Sequence, residues 1–225
     1  MSLGRLLKDF GGLDGADLLR AMRDEFGDGL AVISSFGAEA AVLLALVAEV
    51  DRTIPVIFLD TGELFDETLA YQRQLTEFLG LSELRRQRPT AEELAAAEEL
   101  WRSDADACCQ MRKVAPLARA VAGLRALVDG RKRYHGGGRE TIQVIEEDAD
   151  GIIKISPLAR WTAADIEAAF LRRGLPRHPL VAQGYRSIGC WPCSRPSLPG
   201  EEVRAGRWAG GAKTECGIHR TKTAL

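Results

Sequence analysis

Two short, nearly all-apolar runs, residues 30–33 and 54–59, bracket an Ala-, Leu- and Glu-rich stretch at 38–50. Runs of that length without alternation are strands buried on both faces, and a helix-forming segment between two of them makes a βαβ unit with parallel strands. Upstream, apolar spacing over 16–26 predicts an amphipathic helix. Further along, 65–79, 91–100 and 116–122 read as helices, 125–128 and 152–155 as strands, and 162–172 as a helix capped by Thr162. The expected fold is α/β, a parallel sheet flanked by helices, in a single domain over 1–225. From about 175 to 225 the chain turns to Gly, Pro, Arg and Cys, an irregular site-bearing tail that something other than a core must tie down.

The chain has 225 residues, 46% of them hydrophobic, which suffices for a core. No apolar run is long enough to span a bilayer, and the first residues lack the basic-then-apolar pattern of an export signal, so a cytoplasmic protein without membrane attachment is expected. A net charge of −2 gives no ground for general nucleic-acid binding. The charge is unevenly spread, however: residues 111–139 carry Arg112, Lys113, Arg119, Arg125, Arg131, Lys132, Arg133 and Arg139 against Asp129 alone. Such a stretch suits a compact anion, or else forms a solvated helix face.

The loop Ser34-Ser35-Phe36-Gly37 leaves a strand and enters a helix, so hydroxyls, a flexible Gly and free helix N–H groups can face an anion. It is no Walker loop, and the bland alternative is a plain turn. Leu59-Asp60-Thr61-Gly62 leaves a second strand at the same sheet edge, which together with the first loop frames a crevice. The five cysteines, at 108, 109, 190, 193 and 216, are unsuited to disulfides in a reducing compartment. Cys108-Cys109 and Cys190-x-x-Cys193 can supply four thiolates to an iron–sulfur cluster or to zinc, and the adjacent pair favours the cluster. Buried thiols without a metal, or a dithiol redox motif at Cys190-Trp191-Pro192-Cys193, are the alternatives. Cys216 stands apart among polar neighbours, where His219, Arg204 and Arg207 can hold a thiolate. If four thiols serve a metal, one is left; it cannot resolve its own oxidised adduct, and a redox cycle through it needs an external thiol.

Taken in order, Ser34 to Glu39, Leu59 to Gly62, Cys108-Cys109-x-x-Arg112-Lys113, Gly189-Cys190-x-x-Cys193-Ser194-Arg195-Pro196, Arg204-x-Gly206-Arg207-Trp208 and Glu215-Cys216-Gly217-Ile218-His219 resemble the sulfonucleotide reductase family. Its members act on adenylyl sulfate or the 3'-phosphorylated form. The resemblance implies an adenine-nucleotide α-hydrolase-like fold and a 4Fe-4S cluster on Cys108, Cys109, Cys190 and Cys193. It makes Cys216 the nucleophile, with His219 beside it, and Lys113 the link between cluster and substrate. Arg139, Arg204, Arg207 and His219 would surround the phosphosulfate, and Ser34, Ser35, Gly37, Asp60 and Gly62 would belong to the nucleotide loops. The four-cysteine set implies adenylyl sulfate as substrate, reduced to sulfite and AMP through an S-sulfocysteine in sulfate assimilation and cysteine biosynthesis. With no thioredoxin-like domain after Cys216, a separate thioredoxin or glutaredoxin is the expected donor, and a homo-oligomer is compatible with the pattern. Gly210, Gly211 and Gly217 suggest a tail that closes over the substrate and reopens. The chain departs from the family at Ala40, where an acid is common, and at Lys132-Arg133-Tyr134-His135-Gly136. Rival readings are a reductase of the 3'-phosphorylated form, a nucleotide-activating sulfur transferase, whose Ser-Gly-Gly loop is missing, and a zinc-stapled nucleic-acid-binding module.

Overall fold

The structure, a computed structural model, describes residues 2–208 and 213–219. A six-stranded sheet is built from β1 (Leu30–Ile33), β2 (Val56–Leu59), β3 (Leu84–Gln87), β4 (Ala126–Val128), β5 (Ile145–Glu147) and β6 (Ile153–Ile155) in the order β3-β2-β1-β4-β6-β5. All pairings are parallel except that of β5 with β6, so the parallel sheet expected from sequence carries one antiparallel edge. The helices are α1 (Leu3–Phe10), α2 (Gly15–Phe26), α3 (Ala40–Val50), α4 (Asp66–Leu79), α5 (Ala91–Ala96), α6 (Ala105–Cys109), α7 (Ala115–Ala120) and α8 (Ala163–Arg173).

Strand side chains alternate between two cores. Leu30, Val32, Val56, Phe58, Ala126 and Val128 pack into the larger core with α2, α3, α4 and α8. Ala31, Ile33, Ile57, Leu59 and Leu127 face the other side, against Leu117 of α7 and Val121 just beyond it. Burial on both faces is why these strands show no polar alternation in sequence. The strand expected at 54–59 begins at Val56, because Pro55 has no N–H for the ladder and only its carbonyl takes part, accepting from Val32. Thr162 caps α8 with a reciprocal Asp165 contact, as the sequence implies. The helix expected at 91–100 stops at Ala96: Glu99 takes a left-handed φ of 48°, and a 3₁₀ turn follows at Leu100–Arg102.

The chain leaves β1 toward β2 and β3 but leaves β4 toward β6, although β1 and β4 are neighbours. Connections departing in opposite directions open a crevice beyond the C-terminal ends of these strands. The segments that fill it lack regular structure. After α8, which ends on Gly174 in the left-handed conformation, the described residues hold only 3₁₀ turns, at Pro179–Gln183, Trp191–Cys193 and Gly217–His219. The bridge Leu64–Cys190 ties this tail to the segment after β2, and Ser194–Arg207 folds the tail on itself. No helix among the described residues is long and apolar enough to cross a membrane.

Candidate active site

A cavity of about 200 Å³ opens at the switch between β1 and β4, lined by Ser34, Ser35 and Gly37 from the first loop, by Lys113, and by Arg139, Arg204, Arg207, Cys216 and His219. Ser34 Oγ accepts from the Phe36 N–H at 3.2 Å, folding the first loop on itself. Phe36 holds a φ of 48°, anchored edge-to-face on Phe58 with ring centroids 5.2 Å apart. A Cβ on Gly37 would lie 3.2 Å from the Ile188 carbonyl oxygen, so glycine lets the tail cross this loop closely.

Asp60 and Gly62 do not line the cavity. The buried Asp60 carboxylate accepts from Arg86 Nε and NH2 at 3.0 and 2.7 Å and from the Gly62 N–H at 3.3 Å, and forms an ion pair with Arg88 at 3.1 Å. These two shape the second loop, with Gly62 at φ 77°. Thr61 between them reaches the cavity, its Oγ1 lying 3.3 Å from Cys190 Sγ and its carbonyl accepting from Arg112 at 2.8 Å.

All five cysteines are free thiols gathered around this end of the molecule. Cys108 and Cys109 close α6, which continues through a π-helical turn, Gln110–Val114, that carries Lys113. π turns interrupt helices frequently at functional sites. Cys190 precedes the 3₁₀ turn Trp191–Cys193 and Cys193 ends it. Burial raises the Cys108 and Cys193 thiols, and the charge of Cys190 adds to this in both. Cys216, 9% exposed, packs on Cys109 and Trp208. A hydrogen bond from Cys109, then the charge of Lys113, the Ile218 N–H and the charge of Arg207, lower the Cys216 thiol well below its ordinary value against the effect of burial. The same hydrogen bond and burial push Cys109 up as the thiol partner. Burial would lower Lys113, but Cys190, Cys216 and Cys109 reverse this and keep it an ammonium.

Arg139 donates to Glu215 Oε2 at 2.5 Å, and Arg204 donates to Glu215 Oε1 at 3.1 Å and to the Thr214 carbonyl at 2.9 Å. Burial and nearby Arg139 bring Arg204 down to about 10. Arg207 donates to the Cys193 carbonyl at 3.3 Å and lies 4.5 Å from the Trp208 ring centre. His219 is brought to about 3 by burial and by Arg131, so it is neutral, with Nδ1 3.8 Å from Asp129 Oδ2. Of the tail glycines, Gly217 opens the last 3₁₀ turn, while Gly210 and Gly211 lie outside the described residues.

Several cavity residues escape sequence reasoning. The departing segment 132–136 converges on the first loop: Lys132, Tyr134 and His135 reach the Glu39 carboxylate at 2.9, 2.8 and 3.0 Å. Asp129 and Glu215 also line the cavity, each as the carboxylate partner of an arginine, Arg131 and Arg139.

Among the described residues no three His, Cys, Asp or Glu side chains converge as ligands of a single metal ion would. The donor set Cys108, Cys109, Cys190 and Cys193 is all thiol, lies within charge range of Lys113 in part, and has Arg112 buried against Cys108. Such donors suit a group that takes one thiolate at each of four separate irons and whose negative charge needs buried cations.

Residues 29–196 match the phosphoadenosine phosphosulfate reductase domain family. An adenosine 5'-phosphosulfate reductase of Mesorhizobium japonicum is 50% identical over 204 residues, 89% of this chain and 80% of that protein. Another from Streptomyces coelicolor is 37% identical over 220 residues, covering 96% and 91%. Among solved structures, the phosphoadenylyl-sulfate reductase of Candida auris, a phosphate complex, superposes with a TM-score of 0.72 at 29% identity, covering 84% of this chain and 94% of that one. Yeast FAD synthetase, at 18% identity and a TM-score of 0.54 over 86% of this chain and 62% of its own, shares the fold alone.

Proposed function

The chain belongs to the phosphoadenosine phosphosulfate reductase domain family, and from that membership we propose that it reduces adenylyl sulfate to sulfite and AMP in sulfate assimilation. The observation that carries this reading is Cys216, enclosed in one cavity with Lys113, Arg139, Arg204, Arg207 and the strand-to-helix loop at Ser34, its thiol lowered by the Cys109 hydrogen bond and by Lys113. Its relatives' names supply the substrate; the 3'-phosphorylated form is the comparison to be run beside it.

Cys216 Sγ attacks the sulfur of the sulfuryl group, forming an S–S bond as the bond to the phosphoanhydride oxygen breaks. That oxygen leaves with its electron pair as part of AMP, and the enzyme holds an S-sulfocysteine. Lys113, Arg204 and Arg207 neutralise the charge growing on the leaving phosphate, and the Ser34 loop with its helix N–H groups holds the nucleotide. Neutral His219, whose buried Nδ1 has no hydrogen-bond partner among the described residues, is free to hydrogen-bond the phosphosulfate. A thiolate of an external dithiol, thioredoxin or glutaredoxin, then attacks Cys216 Sγ, sulfite departs with the bonding pair, and the dithiol's second thiol closes its disulfide and returns Cys216. The two electrons come from the dithiol.

Cys108, Cys109, Cys190 and Cys193 are assigned to a 4Fe-4S cluster, which when bound supplies a fixed electrostatic neighbour to Lys113. Were Cys109 a ligand, its proton would no longer be available to Cys216, and Lys113, Arg207 and the Ile218 N–H would be left to favour the thiolate.

Intact-mass spectrometry after anaerobic mixing with adenylyl sulfate, without reductant, tests this directly. A single sulfonate on Cys216 that thioredoxin removes is expected; no adduct from protein with intact iron and acid-labile sulfide would overturn the assignment. Cys216→Ser keeps iron and sulfide but takes up no sulfonate.

A further inference from the structure

Glu215 precedes the nucleophile and occupies the place of a ligand. Its carboxylate takes Arg139 Nε at 2.5 Å on Oε2, and on Oε1 both Arg204 NH2 at 3.1 Å and the Cys216 main-chain N–H at 2.8 Å. The two arginine side chains are 11% and 10% exposed, and all three residues line the cavity. Arg204 Nε is buried without a hydrogen-bond partner among the described residues, so the pair has donor capacity that Glu215 does not use. Burial would raise the Glu215 carboxyl, yet the Arg139 hydrogen bond and the charges of Arg139 and Arg204 lower it, and it faces them as an anion.

We propose that Glu215 is a built-in stand-in for the substrate's anionic group: it holds the Arg139–Arg204 pair and seats Cys216 while the cavity is empty, and it yields the pair when the phosphosulfate binds. The inference rests on the function proposed above and says how binding and nucleophile placement are joined. A phosphosulfate drawn to the same guanidiniums meets a carboxylate already there, and two anions in one buried pair of arginines repel. Because the Glu215 side chain is bonded to the Cys216 N–H, giving up the arginines frees the peptide that carries the attacking sulfur. The linkage is reciprocal: what Glu215 contributes to holding the tail is subtracted from substrate affinity. A strut that merely packs the tail would leave affinity for substrate unchanged or weaken it when removed.

Two measurements on the anaerobic full chain with its iron and sulfide in place separate these cases. The first is the rate of iodoacetamide labelling at Cys216, mapped by peptide mass, in wild type, Glu215→Gln and Glu215→Asp. The second is the affinity for adenylyl sulfate of Cys216→Ser with and without Glu215→Gln. Labelling about tenfold faster in the Gln variant, near wild type in the Asp variant, and adenylyl sulfate bound roughly five- to tenfold more tightly with Gln are the expected results. Equal labelling in all three proteins, or affinity that stays level or falls with Gln, would overturn the stand-in. If Cys216→Ser binds no adenylyl sulfate at all, the proposed substrate is wrong, and the labelling rates still decide whether Glu215 seats Cys216.

Discussion

In the proposed chemistry the largest share falls to Lys113, half-buried beside Cys190, Cys216 and Cys109. Lys113→Met should slow S-sulfonation in single turnover by about 10²-fold, the size of loss seen when one donor to a developing charge is removed. The chain's three histidines are all depressed, chiefly by burial. His178, 1% exposed and bonded to Thr68 at 3.0 Å and to the Leu180 N–H at 3.2 Å, is brought down to about 4. A folded pKa below the unfolded one means that the unfolded chain binds the proton first. The neutral ring's contribution is therefore whole above pH 6.5 and lost as pH falls toward 4, about 2 kcal/mol between pH 7 and pH 5. Guanidinium unfolding at the two pH values should show that loss shrinking in His178→Gln. Individual thiols and arginines were legible in sequence because their residue types name their chemistry. The Glu39 cluster was not: Lys132, Tyr134 and His135 reach it from the loop after the neighbouring strand β4, some ninety residues on, and nothing local in either segment announces the meeting.

Elements were legible where burial is two-sided or caps are explicit, as in β1, α3 and α8. They were hidden where neither holds. β3 carries Arg85 and Arg86 and β5 carries Glu146 and Glu147, polar edge strands with one neighbour each, and charge on an edge guards it against stray pairing while erasing its apolar signal. The π turn after α6 escaped for a different reason, because a helix widened by one residue has no compositional mark. In the tail, Gly189 permits a crossing that no element enforces: a Cβ there would sit 2.3 to 2.6 Å from the Arg207 guanidinium. That group ends a flexible side chain and can move. Gly189→Ala should thus leave the melting temperature within a few degrees of wild type while lowering the S-sulfonation rate about tenfold, measured by quenched mass spectrometry.

At the scale of the molecule, the sheet order explains why residues so far apart in sequence share one cavity. The β1–β4 switch places the first loop and the Asp129 loop side by side, and the tail from α8 onward returns across both. That return path was unreadable in advance, since two isolated bridges and a glycine crossing guide it rather than a core. If iron is part of the tie, removing it with a chelator should lower the melting temperature and speed proteolysis after Gly174 before the sheet is touched. The 9% exposure of Cys216 reaches further. On the proposed mechanism a sulfur so enclosed would meet the nucleotide in privacy and a protein-sized reductant only after the tail has been drawn aside, so the two partners would take turns at the site. Steady-state rates measured at several donor concentrations should accordingly give parallel double-reciprocal lines, the signature of one partner leaving before the next arrives.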